Sequence, residues 1–176
     1  MRRTAPLLLV LGALLAGCGS RPSTAPADTA PADALPGAVE ANATVVALTD
    51  GDTISVRIGS RKEKVRLIGI DTPETKKPNT PIQCYGPEAS AYTASLVPVG
   101  TKVRVERDAE ARDVYGRLLA YVYRATDGLF VNLDVIRHGY ARQLTIAPNT
   151  AHEADFTAAV QAAQRSRIGL WSTCTG

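Results

Sequence analysis

The sequence predicts an α+β fold, a small five-stranded Greek-key β-barrel with helices packed against it. Three segments with strand character come first, at residues 45–48, 53–58 and 64–70, and two more follow at 101–106 and 117–123. A helical segment separates the two groups, and two further helical segments follow the fifth strand. Alternation of apolar and polar residues, clearest at 53–58, indicates strands with one buried face.

Turn-forming residues connect the first three predicted strands into a meander. Thr-Asp-Gly-Asp at residues 49–52 and Gly-Ser at 59–60 supply the two turns. A polar, proline-rich loop follows at 71–85, and a charged loop at 107–115 lies between the last two strands.

Helix signals then place three helices. The first predicted helix is 86–97, since Gly-Pro-Glu at its start suits a first turn and the acidic side chain complements the helix dipole. Asn132 is expected to cap the second helix and Gly139 to end it. The third is expected at about 150–167, because Thr-Ala-His-Glu at its start matches a capping box. We expect Trp171, which follows, to fill the core.

The first 17 residues have the pattern of a signal peptide. Arg2 and Arg3 are basic, and the apolar run at residues 7–15 is too short to span a bilayer. The run ends in Leu-Ala-Gly-Cys, which resembles the bacterial lipobox and implies cleavage before Cys18 with lipid attached to that residue. The alternative is an ordinary secretory signal followed by a chance cysteine.

Residues 18–38 are predicted to be the lipidated cysteine and a disordered tether, and residues 39–176 one folded domain. The tether consists mainly of Ser, Thr, Ala, Asp and Pro, so it cannot bury enough apolar surface to become ordered. We therefore expect a protein held outside the cytoplasm by acyl chains, at the cell surface or an outer membrane, or released as a secreted form.

Charge and cysteines narrow the expectations further. Basic residues exceed acidic ones by 20 to 17, and by 18 to 17 once Arg2 and Arg3 leave with the signal. Global charge therefore does not indicate a nucleic-acid partner, and attraction for phosphate must come from the local placement of Arg and Lys side chains.

Cys84 and Cys174 are predicted to form a disulfide outside the reducing cytosol. Two free buried thiols are the alternative.

Two acidic turns, Asp50-Gly51-Asp52-Thr53 and Asp71-Thr72-Pro73-Glu74, are candidates for metal chemistry. Either turn alone is equally well explained as an ordinary turn. Hard divalent cations, however, bind carboxylate and carbonyl oxygens, and no cluster of His or Cys favours zinc.

Two arginines on predicted strands point to an anionic ligand. Arg66 lies between Val65 and Leu67, and Arg117 begins the strand Arg-Leu-Leu-Ala-Tyr. A guanidinium fork suits bidentate contact with phosphate. A structural salt bridge would explain either arginine alone, but not both together with the two acidic turns.

These residues belong to a longer ordered set in which the sequence resembles the staphylococcal nuclease (thermonuclease) family. The matching stretches run in the family's order over nearly the whole domain: 50–53, 65–67, 71–76, 85–91, 115–117 and 119–121, with weaker matches at 148–149, 152–153 and 170–172. The resemblance implies an OB-fold barrel with three helices and calcium-dependent hydrolysis of DNA and RNA that leaves 3′-phosphates. It also implies a monomer that prefers single-stranded regions.

Carried over residue by residue, the resemblance assigns the metal and the attacking water. Asp52 and Asp71 would bind calcium through their carboxylates and Thr72 through its backbone carbonyl. Glu74 would orient or deprotonate the water. Asp50 would support the site without binding the metal.

The resemblance assigns the phosphate contacts to the other segments. Arg66 and Arg117 would hold the scissile phosphate, and Tyr115 would contact a neighbouring phosphate. Arg66 and Asp71 are an odd number of residues apart, so an ideal strand would place them on opposite faces. We therefore expect a bulge or bend near Gly69, or an end to the strand before Asp71.

The sequence departs from the family at the surface where bases stack. Leu144 and Ile146 stand where the family has tyrosines, and Val114 replaces a lysine. Stacking is worth about 1–3 kcal/mol per base, so substrate should be held less tightly or by other contacts. Two alternatives to an enzyme remain: a non-catalytic OB-fold module that binds nucleic acid, and a barrel that binds another ligand or a protein.

Overall fold

The computed structural model describes residues 37–76 and 79–174. The predicted signal peptide, Cys18 and nearly all of the predicted tether lie outside the described residues. Within the described part of the chain, no helix is long and apolar enough to cross a bilayer.

Five strands close into a barrel, and two short strands form a separate sheet. The barrel strands are β1 (Ala43–Asp50), β2 (Thr53–Ile58), β3 (Arg61–Leu67), β5 (Lys102–Glu106) and β6 (Leu118–Arg124). Their order is β1-β2-β3-β6-β5, with β1 closing against β5. The second sheet pairs β4 (Gly69–Asp71) with β7 (Arg142–Leu144).

All pairings in the barrel are antiparallel except that of β3 with β6, which is parallel. The predicted five-stranded α+β barrel of the OB type is thus confirmed. Its interior is filled by alternate residues of β2 and β3, and Ile54, Val56, Val65 and Leu67 are completely buried. Burial of each such side chain contributes about 1.5–3 kcal/mol before entropy is counted.

Four helices complete the described chain: α1 (Gly86–Leu96), α2 (Val131–Arg137), α3 (Glu153–Arg165) and the single turn α4 (Leu170–Thr173). The expected capping role of Asn132 is wrong, because α2 begins at Val131 and Asn132 is buried within the helix. Its amide instead donates to the carbonyls of Ile68 and Ala120, and its Oδ1 accepts from the Val122 N–H. Asn132 therefore ties α2 to the barrel.

The end of the chain also differs from expectation. The predicted capping box is absent: α3 begins at Glu153, and no side chain caps it. Leu170, rather than Trp171, fills the core, since Leu170 is fully buried. Trp171 is half-buried, and the Arg142 guanidinium lies 5.1 Å from its ring centroid.

The predicted strand 64–70 is wrong as a single element, because it breaks after Leu67 and resumes as β4 at Gly69. Gly69 has φ +84°, and a Cβ added there would overlap the Phe156 ring. A side chain at this position would therefore meet both strain and a clash. The bend expected near Gly69 is present, and it turns Arg66 toward Asp71.

Candidate active site

Asp52 lies in the β1–β2 turn and is nearly buried, at 8% exposure. Its Oδ1 accepts from the Thr53 hydroxyl at 2.9 Å, and its Oδ2 accepts from both the N–H and the hydroxyl of Thr72 at 3.0 Å. Gly51 permits this close approach, since a Cβ there would lie 2.9 Å from the Thr72 side chain. The two acidic turns are thereby joined through Asp52 and Thr72.

Arg66 spans the bend between β3 and β4. Its Nη1 donates to the carbonyls of Leu67 and Ile70 at 2.8 Å, and its Nη2 donates to Asp71 Oδ1 at 2.9 Å. Nη1 also lies 3.3 Å from Asp52 Oδ2. The guanidinium is therefore fixed by the backbone and placed between the two predicted metal-binding carboxylates.

Asp71 carries the more accessible of these carboxylates, and its side chain is 53% exposed. Burial of the group raises the pKa of Asp71 above its ordinary value, and the nearby Asp52 and Glu74 add to this while Arg66 opposes it. The sum is a raised pKa, and burial of the carboxyl is its largest cause.

Asp50 and Glu74 form the other acidic pair of the site. The Asp50 carboxylate accepts from the Gly51 N–H and from the hydroxyl of Thr75, both at 2.9 Å. Burial raises the pKa of Asp50, and a hydrogen bond with the Glu74 carboxyl raises it further. The Asp50 carboxyl is thereby held next to that of Glu74.

The Glu74 backbone is held by one residue from the other end of its loop. Gln83 Oε1 accepts from the Glu74 N–H at 2.9 Å, and the Gln83 N–H donates to the Glu74 carbonyl at 3.0 Å. Glu74 Oε1 itself accepts from the N–H groups of Thr75 and Lys76 at 3.0 Å. Gln83 was not among the predicted site residues, because its role depends on a contact between the two ends of the loop.

Gln83 is next to Cys84, which is joined to Cys174 by a disulfide. The bond links the loop before α1 to the segment after α4. It therefore anchors the end of the loop that carries Gln83.

Arg117 is positioned by Asp113, a residue that the sequence reading also missed. Asp113 Oδ1 accepts from the N–H groups of Tyr115 and Arg117, and Oδ2 accepts from Arg117 Nε at 2.6 Å. Burial alone would raise the pKa of Asp113, but the hydrogen bonds from Arg117 outweigh burial and lower it. The spacing of four residues before Arg117 is the signal that could have identified Asp113.

Tyr115 lies on the surface beside Arg117. Its side chain is 82% exposed, and the Arg117 guanidinium carbon lies 5.5 Å from its ring centroid. Arg117 uses Nε for Asp113, and within the described residues no hydrogen bond from its two Nη groups is found. This leaves the outer fork of Arg117 available to an anion.

One cleft of about 580 Å³ is lined by the carboxylates of the two acidic turns together with both arginines, Gln83 and Tyr115. The structure brings every predicted metal, catalytic and phosphate-binding residue to it: Asp52, Arg66, Asp71, Thr72, Glu74, Tyr115 and Arg117, together with Asp50. Lys76, from the matched stretch 71–76, lines it too, and so do residues that sequence reasoning did not single out, namely Thr49, Lys64, Thr80 and Gln83.

The cleft offers only oxygen donors to a cation. Among the described residues, no group of three or more His, Cys, Asp or Glu side chains is arranged to hold a metal. Asp52 and Asp71 instead face Arg66. Their carboxylates and nearby backbone carbonyls nevertheless match the hard ligands that calcium takes, with water completing the shell.

An apolar pocket of about 330 Å³ shares Arg66, Tyr115 and Arg117 with the cleft. Its walls include Leu144 and Ile146, which are 39% and 62% exposed, and the highly exposed Val114. No aromatic ring other than that of Tyr115 is among its lining residues.

A closed OB-type barrel with guanidinium and carboxylate groups in one open cleft defines a protein suited to binding an anionic, phosphate-bearing ligand. The family model described as "Staphylococcal nuclease homologue" matches residues 64–173. The chain therefore belongs to the staphylococcal nuclease family.

Its relatives include two thermonucleases and an endonuclease. The chain is 43% identical to the thermonuclease of Staphylococcus intermedius over 122 residues, which cover 69% of this chain and 71% of that protein. It is 40% identical to the thermonuclease of Staphylococcus hyicus over 128 residues, covering 73% and 74%. Endonuclease YncB of Bacillus subtilis (strain 168) is 42% identical over 133 residues, covering 74% and 62%.

Proposed function

We propose that this protein is a calcium-dependent endonuclease that hydrolyses DNA and RNA and leaves 3′-phosphates. Its similarity to thermonucleases and endonucleases supports hydrolysis of phosphodiester bonds. The observation that carries the proposal is the single cleft in which Arg66 and Arg117 lie with four carboxylates. Phosphoryl transfer depends on this combination of positioned positive charge and a group that orients the nucleophile.

Arg66 and Arg117 are the proposed phosphate ligands. Arg66 is fixed by two backbone carbonyls, and Arg117 is fixed at Nε by Asp113. Rigid guanidinium groups need little reorganisation as charge develops on the phosphoryl oxygens, which is the condition for strong electrostatic stabilisation. The exposed Tyr115 is suited to contact the neighbouring phosphate.

Asp52, Asp71 and the Thr72 carbonyl are the proposed holders of calcium. When bound, the ion supplies positive charge that offsets charge on the phosphate and on these carboxylates. The Asp71 side chain is about half exposed in the cleft that Asp52 also lines, so its carboxylate is open to an ion there. Arg66 would then share its carboxylate partners with the ion.

Glu74 is the proposed base. Its carboxylate lies in the cleft, and its backbone is fixed by Gln83. Glu74 would take a proton from water while the water oxygen bonds to phosphorus and the bond to the 5′ oxygen breaks. The phosphate then stays on the 3′ side, and the 5′ oxygen takes a proton from solvent. Asp50 supports the site through its contact with Glu74.

We further propose that the enzyme acts outside the cytoplasm as a lipid-anchored monomer. The signal-like first 17 residues and the Leu-Ala-Gly-Cys stretch support this placement. Cys18→Ser should move the protein from the membrane fraction to the soluble fraction of expressing cells. Equal membrane association of both forms would refute lipidation at Cys18.

Variant kinetics test the assignment of roles. Glu74→Gln keeps the shape of the side chain and should lower kcat about a hundredfold or more, because the base is lost. Arg117→Ala should lower kcat about a hundredfold to a thousandfold. Arg137→Gln, on α2 and outside the cleft, is the control and should cleave like wild type.

Cleavage by the wild-type protein separates an enzyme from a binding module. If the wild-type protein binds single-stranded DNA but never cleaves it with calcium, the non-catalytic OB-fold module replaces the proposed enzyme. Cleavage that Glu74→Gln leaves unchanged would remove Glu74 from the mechanism.

A further inference from the structure

The hairpin of β2 and β3 carries a row of basic side chains on one face. The strand register places Thr53 opposite Arg66, Ser55 opposite Lys64, and Arg57 opposite Lys62. Directly opposed residues and residues two apart along a strand share a face, so Arg66, Lys64, Lys62 and Arg57 lie along the same face. We call Arg57, Lys62 and Lys64 the basic row.

The basic row has no structural explanation in the described part of the molecule. Arg57 and Lys62 are directly opposed like charges, an arrangement that destabilises a strand pair. All three residues are exposed, and none forms a salt bridge with a described carboxylate. By contrast, Arg104 on β5 and Arg124 on β6 each pair with a carboxylate.

The row is continuous with the cleft. Lys64 and Arg66 both line the cleft, and Lys62 follows Lys64 along β3 toward the tip of the hairpin, with Arg57 directly opposite Lys62 on β2. Successive side chains on one face of a strand are about 6.8 Å apart. This interval is comparable to the distance between successive phosphates of an extended single strand, so successive phosphates of one nucleic-acid strand can lie near Arg66, Lys64 and Lys62, with Arg57 beside Lys62.

We propose that the basic row binds the backbone phosphates of a single-stranded nucleic acid whose scissile phosphate lies in the cleft. The inference rests on the proposed function, and it adds a binding surface outside the catalytic groups. The charges of Arg66, Lys64 and Lys62 form one line along β3, so the row follows one backbone. Contacts to phosphate alone carry no sequence preference.

The test is the salt dependence of binding, measured without catalysis. A fluorescein-labelled 12-nucleotide single strand is titrated with protein in chelator between 50 and 200 mM salt, and fluorescence anisotropy gives Kd. Each phosphate contact on a single strand contributes about −0.7 to the slope of log affinity against log salt. Arg57→Gln/Lys62→Gln should therefore reduce the slope by about 1.4, so wild type loses about sevenfold more affinity than the variant over this range.

A charge-matched control isolates the row. Arg137→Gln/Arg165→Gln removes the same charge from α2 and α3, away from the cleft, and should keep the wild-type slope. Circular dichroism checks that each variant is folded. Equal slopes for wild type and the row variant, or the same change in both variants, would overturn the inference.

Two further measurements keep the inference separate from its foundation. A dinucleotide substrate is too short to reach the basic row, so its calcium-dependent cleavage tests the proposed function alone. If the dinucleotide is cleaved but the salt slopes of wild type and the row variant are equal, the binding role of the basic row is overturned and the proposed function stands. A slope change without any cleavage would overturn the function alone. If the row variant binds the oligonucleotide normally but loses binding to phosphatidylserine vesicles, the row serves a membrane and the inference fails.

Discussion

Asp113 shows how the site depends on residues that do no chemistry themselves. It accepts three hydrogen bonds from the loop that carries Tyr115 and Arg117, and Gly116 in that loop has φ +77°. The carboxylate thus fixes both the backbone and the side chain of the proposed phosphate ligand. A guanidinium held at Nε keeps its outer fork directed at substrate.

Asp113→Asn should lower both stability and kcat at neutral pH. The folded-state pKa of Asp113 lies below its ordinary value of 3.8, so its contribution is fully present above that value and is lost as pH falls below it. We expect a loss of about 1 kcal/mol in the free energy of unfolding at pH 7, as for other partly exposed ion pairs. Urea denaturation from pH 7 down to pH 2 checks this.

The difference between wild type and Asp113→Asn should shrink toward zero at the acid end of that series. A difference that is constant with pH would show that the Asp113 charge does not stabilise the fold. Asp127→Asn is a matched comparison, since Asp127 also has a lowered pKa but pairs with Arg124, away from the cleft.

Residues with chemical roles were more predictable from the sequence than the residues that position them. The charged side chains with proposed chemical roles lie at turns or strand ends, and such positions can be identified from the sequence: Asp52, Arg66, Asp71, Glu74 and Arg117. Asp113 and Gln83 act through hydrogen bonds to backbone groups. Those bonds exist only once the loops have closed: the spacing of four residues from Arg117 is the one local signal for Asp113, and Gln83 has no local signal.

At the scale of elements, the break between β3 and β4 is the feature that builds the site. Val65, Leu67, Ile68 and Ile70 are all buried, so the apolar pattern continues through the break and predicts one strand. The strand nevertheless breaks here, because Gly69 has a positive φ and Phe156 packs against it. The segments predicted at 45–48, 53–58, 101–106 and 117–123 correspond to β1, β2, β5 and β6, whereas the three-residue β7 was too short to show a pattern.

Gly69→Ala should destabilise the protein far more than Gly59→Ala does. Both glycines have positive φ, but a Cβ at Gly59 meets nothing within 4 Å, whereas one at Gly69 overlaps Phe156. We expect about 1–2 kcal/mol for the backbone strain alone at Gly59, and at least about 1–3 kcal/mol more at Gly69 for the clash. Chemical denaturation of both variants gives the comparison, and equal losses would contradict the role given to Phe156.

The segment from β7 onward carries Leu144 and Ile146, the side chains expected to contact substrate bases. Leu144→Tyr/Ile146→Tyr would add rings to the apolar pocket next to the cleft. Stacking of about 1–3 kcal/mol per base should lower KM for single-stranded DNA about fivefold or more, with kcat little changed. Steady-state kinetics on one oligonucleotide measures both constants. An unchanged KM would mean that bases do not reach these positions.

On the scale of the whole molecule, the disulfide links two segments that are 90 residues apart in sequence. Together with Asn132, which ties α2 to the barrel, it fixes the helical segments around the site. A cross-link that closes so long a loop restricts the unfolded chain strongly. Composition could suggest this pairing, but it could not show that Gln83, beside Cys84, holds Glu74.

Cys84→Ala/Cys174→Ala should lower the free energy of unfolding by about 4 kcal/mol, on the chain-entropy account of a loop of this size. The same variant should lose kcat, since Gln83 is then less firmly placed. Denaturation with and without reductant provides the control, because reductant should destabilise wild type and leave the variant unaffected. A variant as stable as wild type would contradict the anchoring role.

Calcium dependence is the claim on which the other assignments rest. The direct measurement is the rate of cleavage of single-stranded DNA by the purified protein in calcium, in magnesium and in chelator, with analysis of the product ends. We expect rapid cleavage to 3′-phosphate ends in calcium, and none in chelator until calcium is restored. Cleavage at the same rate in chelator would contradict calcium dependence.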